Sequence, residues 1–207
     1  MALILAFGLA LAVGRYDARR AAVVDDANTI GTTYLRAQTL SEPVRSQSLD
    51  LLRRYADEAI ALSHDVPGSA AQDATAAEQG DLQRRLWGLA GRALGDAPLA
   101  SAPRLYVDSL NAMIDQQTTR IAVLNNRVPS TVLLLEVVAS ALALGLLALY
   151  LALLGRRPVT VLLAAVLVAM LLFVIFDLDR PTRGLVTVPD TPLVNLREEM
   201  ALPPAAR

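Results

Sequence analysis

The sequence predicts an all-α integral membrane protein: a C-terminal transmembrane helical hairpin and a partial N-terminal transmembrane helix, with a cytoplasmic helical bundle inserted between them. Two apolar runs carry the prediction first, Thr131 to Leu154 and Val159 to Phe176, joined only by Gly155-Arg156-Arg157-Pro158. At 1.5 Å per residue they reach about 36 Å and about 27 Å, against a bilayer hydrocarbon core of about 30 Å. Second, both runs are apolar around their whole circumference rather than along one stripe, which suits lipid on several sides better than a soluble core. Third, the 207-residue chain is 54% hydrophobic, yet its polar residues gather before the hairpin, between positions 15 and 128. That stretch suffices for one small helical domain. The expected division is 1–14 partial membrane helix, 15–128 bundle, 129–180 hairpin and 181–207 tail.

Composition removes several function classes. A formal net charge of −1 provides no overall basic field, so nucleic acid is not expected as a partner. Cysteine is absent, which excludes disulfides, thiolate metal sites and a cysteine nucleophile. The basic residues are all arginines, so lysine chemistry such as a Schiff base or a phosphate-loop lysine is excluded too.

Met1 to Val13 would span only about 20 Å as a helix, too short for a full crossing. It reads as the end of a transmembrane helix whose earlier part lies outside this chain. A signal peptide is the alternative: Ala10-Leu11-Ala12 looks like a cleavage site, but Arg15, Arg19 and Arg20 follow at once and oppose export. No proline separates Val13 from Leu40, so the helix is predicted to run straight out of the membrane as a stalk, with Val23, Ala27, Ile30, Tyr34 and Ala37 as its apolar stripe. Ser41 and Pro43 open a second helix along Val44, Leu51, Leu52, Tyr55, Ala59 and Leu62, closed by Val66-Pro67-Gly68. Ser69 to Ala77 lacks an apolar period and is expected to be a mobile connector. Leu82, Leu86, Leu89 and Ala93 mark a short helix ending near Gly95, followed by a second loose stretch from Asp96 to Pro103. Val107, Leu110, Ile114, Gln117, Ile121, Leu124 and Val128 then form a heptad seam that ends at Pro129. An antiparallel bundle follows from these pieces. Beyond the hairpin, Pro181 halts the helix, Gly184 to Val188 suits a short extended segment, and Asp190-Thr191-Pro192 caps an amphipathic helix over Leu193 to Met200. Arginines near the membrane ends set the orientation: Arg15, Arg19, Arg20, Arg120, Arg127, Arg180 and Arg183 on the bundle side against Arg156 and Arg157 on the other. The bundle and C-terminus are therefore expected in the cytoplasm.

Two motifs resemble a known family. Arg15-Tyr16-Asp17-Ala18-Arg19-Arg20, followed by Asp25-Asp26-Ala27-Asn28-Thr29-Ile30-Gly31-Thr32-Thr33-Tyr34-Leu35-Arg36, resembles the signature of the bacterial bestrophin-like membrane proteins, a domain family of unknown function. Asp177-Leu178-Asp179-Arg180-Pro181, with Gly184 shortly after, is similar to that family's closing motif. The resemblance implies four transmembrane helices in two pairs around a cytoplasmic helical insert, from which this sequence departs by lacking the first. It also implies kinship with bestrophin anion channels, and hence a homo-oligomer in the bacterial inner membrane, with chloride or another small anion as the species carried.

Candidate sites follow from misplaced polarity. Glu136 lies inside the first apolar run with Ser140 one turn on; a carboxylate among lipid is costly, so it reads either as an ion or proton path or as a structural pair near a helix N-terminus. Asn28, Gly31, Thr32 and Leu35 share a second face of the stalk, read either as close helix packing, which Gly31 suits, or as polar pore lining, and Arg36 reads either as a vestibule cation that attracts anions or as a solvated arginine. Asp177 and Asp179 end a helix where the macrodipole disfavours anions, so they read either as a structural clasp with the local Arg180 or Arg183 or the distant Arg19, Arg20 or Arg127, or as ligand or ion coordination. His64, the single histidine, has no ligand partner at suitable spacing, and no nucleophile, base or metal set converges. No enzyme and no cofactor is therefore expected. The competing reading is a membrane-anchored helical scaffold that binds another protein and transports nothing.

Overall fold

The structure, a computed structural model, describes residues 2–157, 159–180 and 182–203. Among these, all the regular elements are helices: α1 (Ala2–Ala37), α2 (Val44–His64), α3 (Ala70–Asp96), α4 (Ser101–Asn125), α5 (Ser130–Leu153), α6 (Val159–Leu178) and α7 (Thr191–Glu199). They fall into two compact units. One comprises the chain up to Asp17 together with Asn126–Thr187, and the other Ala18–Asn125 together with the chain from Val188. α1 is continuous through the division, as the absence of proline before Leu40 predicted.

In the first unit α5 packs on α6. α5 turns Leu133, Glu136, Ser140 and Leu147 inward, a step of three, four and seven residues that keeps one face in contact. Val168 and Ile175 do the same from α6. The outer faces remain bare: Leu142, Leu146, Leu163 and Leu167 are each more than 60% exposed. Both helices are long and apolar enough to cross a membrane, and contiguous apolar surface on this scale marks a surface built for something other than water.

The second unit packs α2 on α3, α3 on α4 and α7 on α2, around Ile30, Leu52, Tyr55, Leu82, Leu86, Tyr106, Leu110 and Met113. Each fully buried aliphatic side chain of this kind contributes about 1.5–3 kcal/mol. α7 is tied down by polar contacts as well as by buried Leu193. The Met200 carbonyl accepts from Tyr34 Oη at 3.0 Å and from Arg53 Nε at 3.1 Å, and Arg197 Nε reaches Asp57 at 2.6 Å. A methyl group on Gly31 would stand 3.1 Å from Leu196 Cδ1, so the glycine matches a close approach of α7 to the stalk.

Three expectations change. Ser69 to Ala77 is not a connector but the start of α3. Ser69 accepts from the Gln72 amide at 3.3 Å while Gln72 Oε1 accepts from the Gly68 amide at 2.7 Å, a capping arrangement of the Ser-x-x-Gln kind. Five alanines between positions 70 and 77 then carry the helix by propensity without an apolar stripe. The loose stretch after α3 shrinks to residues 97–100 because α4 already starts at Ser101. The α4 seam is also rotated. Leu110, Gln117 and Leu124 are buried as expected, but their inner partners are Tyr106, Met113 and Arg120, while Val107 and Ile114 are only half-buried at the edge.

Candidate functional site

Buried charge is the feature that sets particular residues apart in each unit. In the bundle, Arg120 and Asp26 are each 1% exposed and meet at 2.5 Å, Nη1 to Oδ2. Arg120 Nη2 also donates to Ser63 Oγ at 2.6 Å, so one guanidinium joins α1, α2 and α4. Burial pushes the Asp26 carboxyl above its ordinary range, while the charge and hydrogen bond of Arg120 pull it back down. Next to it runs an amide ladder: Gln83 Nε2 donates to Tyr55 Oη at 3.1 Å and to Gln117 Oε1 at 3.0 Å, and Gln117 Nε2 donates to Gln79 Oε1 at 2.9 Å. The Tyr55 phenol is driven well above its usual range, by burial first and then by the Asp26 charge. None of these residues was singled out as a site from sequence. The available signal was register: Arg120 follows Met113 and Tyr106 at steps of seven, and Asp26 sits three residues from buried Val23.

In the first unit, Glu136 is 1% exposed and Ser140 is 2% exposed. Neither Glu136 oxygen, nor Ser140 Oγ, has a hydrogen-bond partner among the described residues. The carboxyl lies against Gly8 of α1, so closely that a methyl group there would overlap it. Leu5 and Ala12, both buried, lie on the same face of α1.

Asn28, Thr32 and Arg36 are brought together. With Thr29, Asp108 and Ser109 they line one shallow cleft of about 260 Å³ between α1 and α4. Arg36 is held there by the Leu105 carbonyl at 2.7 Å and by Asp108 at 3.1 Å. The acids at the C-terminal end of α6 are held by main-chain amides. Asp177 accepts from Leu185 at 2.8 Å and Val186 at 2.9 Å, and Asp179 accepts from Val128 at 2.8 Å. These bonds offset the unfavourable end of the α6 dipole. Gly184 is needed beneath Asp177, since a Cβ there would come within 2.8 Å of Oδ1. Asp177 and Arg180 share a cleft with Arg183, while Arg180 itself is exposed. Of the other arginines, Arg19 is fully buried on α1, Arg20 is exposed, and the Arg127 carbonyl accepts from Arg15 at 2.6 Å. His64 Nε2 meets Asp190 at 3.1 Å. No group of three or more acidic, histidine or cysteine side chains suited to a metal occurs among the described residues.

A family model for the Bestrophin-like domain matches residues 1–193. The chain belongs to the Bestrophin-like family. Its fold is similar to the crystal structure of a bacterial bestrophin homolog from Klebsiella pneumoniae, with a TM-score of 0.70 and 12% identity over 96% of this chain and 81% of that one. A mutant of that homolog gives a TM-score of 0.68 at the same identity, over 96% and 82%. At this identity the likeness is one of fold. No curated protein matches the chain in sequence. The bestrophin-like motifs of the sequence thus lie where the structure puts its two kinds of polar anchor, the α1 stretch carrying Asp26 and the turn carrying Asp177 and Asp179.

Proposed function

We propose that this bestrophin-like protein is an oligomeric anion channel of the bacterial inner membrane, with α5 and α6 in lipid and the bundle and C-terminus in the cytoplasm. The family match over residues 1–193 is the observation that carries the reading. Physical argument supports the oligomer. α5 and α6 expose apolar side chains outward and enclose little that is polar, and a wide aqueous path requires polar lining. Conduction therefore needs several copies around a common axis. The lipid bilayer and further copies of the chain are then its partners, and a small anion such as chloride its cargo.

Within this reading the α1 face bearing Asn28, Thr32 and Arg36 belongs to the water-filled path. A guanidinium beside hydroxyl and amide groups attracts anions, although Asp108 offsets part of that charge. The arginine count at the helix ends supports a bundle inside the cell.

Anion efflux from liposomes holding the purified, folded oligomer tests the proposal. Chloride leak well above that of empty vesicles is expected. A folded oligomer that passes no anion would overturn it, and leave the membrane-anchored interaction protein as the better reading.

A further inference from the structure

We propose that Glu136 is a proton-binding site within the membrane layer, and that its bound proton holds α1 against α5. The inference needs the membrane reading of α5 but not conduction. Its basis is geometric. Both carboxyl oxygens are sealed from solvent and lack a hydrogen-bond partner among the described residues. One of them lies on the Gly8 backbone, where only a glycine leaves room. Ser140, one turn further along α5, is buried too.

An ionised carboxylate in such a place requires a compensating positive charge. Among the described residues, none of the titratable groups on the elements around it hydrogen-bonds to it. On α1 the nearest in this unit are Arg15, Tyr16 and Asp17, about 10 Å or more along the axis from Gly8. Arg15 is engaged with the Asn126 side chain and the Arg127 carbonyl. α5 adds only Tyr150, about 20 Å beyond Glu136, and α6 adds Asp177, an acid whose carboxylate accepts from the Leu185 and Val186 amides. With no cation bonded to it among the described residues, a proton is the ligand that fits. A neutral carboxylic acid also gains an O–H donor, so it can bond a helix carbonyl or the Ser140 hydroxyl and lie flush with Gly8. Loss of the proton leaves an anion pressed on an apolar helix, and α1 must move away.

Carbodiimide labelling of the full chain in lipid vesicles tests this. A carboxylic acid adds across the C=N bond of the reagent, its oxygen bonding to carbon and its proton going to nitrogen, so only the protonated form starts the reaction. A lipid-soluble carbodiimide should modify Glu136 at neutral pH, mapped by mass spectrometry, while a water-soluble one should not. Labelling should fall about tenfold per pH unit once the site begins to empty. Infrared spectra supply a second reading: a protonated-carboxyl C=O band, shifted in D2O, is expected in the native chain and missing in Glu136→Gln. No Glu136 adduct with the lipid-soluble reagent, or no band lost in Glu136→Gln, overturns the proposal. A failure of the membrane reading would show separately, as chain recovered in the soluble fraction without detergent.

Discussion

The two units solve the same problem, a charged side chain sealed from water, in opposite ways. Inside the bundle, Asp26 meets Arg120, and Ser63 takes another arginine N–H. Between α1 and α5, the Glu136 carboxyl lies against Gly8 and has no hydrogen-bonding partner among the described residues. The difference teaches what each site is for. An ion pair that ties three helices fixes their register, because sliding any one of them strands a charge. A carboxyl without a partner fixes nothing while ionised, and becomes a structural contact only once neutral.

Breaking the pair is the strongest way to test this contrast. Arg120→Leu leaves Asp26 buried without its cation and should cost about 3–5 kcal/mol of stability, read as a lower unfolding midpoint of the full chain in detergent. Replacing both partners, Asp26→Leu with Arg120→Met, should recover most of that loss. If the double variant were as unstable as the single one, the pair would not act as a unit.

Next in size is Gly8→Val, which forces a side chain into the space of the Glu136 carboxyl. Overpacking of this kind costs about 1–3 kcal/mol, and the loss should shrink when Glu136→Ala is added. Additive effects of the two changes would mean that Gly8 and Glu136 are not in contact.

Much of this was legible in the sequence. The candidate spans needed only length and apolarity, and α5 and α6 begin and end within two residues of the apolar runs. The conflict at Glu136 was legible as well, because a lone acid in an apolar run stands out. The Asp26–Arg120 pair was not, since each residue alone looks like an ordinary solvated charge on an amphipathic helix. Only the rotated seam of α4, with Arg120 in line with Met113, shows that it points inward. The start of α3 was missed for a different reason: alanine propensity and a Ser69–Gln72 cap form helix without leaving an apolar period. That Asp177 and Asp179 needed holding followed from the helix dipole, but main-chain amides leave no trace in composition.

Smaller effects sharpen the comparison further. Asp177→Ala removes the acceptor for the Leu185 and Val186 amides and should cost about 1–2 kcal/mol, with faster proteolysis after Arg183. Unchanged cleavage would show that other contacts hold that turn. Gly31→Ala should be nearly neutral. A gain of about 1 kcal/mol in helix propensity is set against a small shift of the flexible Leu196 end, so a midpoint change larger than that gain would contradict the packing described here.

For the proposed channel to conduct, copies of the chain must assemble through a lipid-embedded layer, because α5 and α6 enclose little that is polar. The mass of the protein in mild detergent, from light scattering corrected for bound detergent, tests this directly. Several copies per particle are predicted. A single copy, extracted intact and with a closed, dry membrane layer, would contradict it.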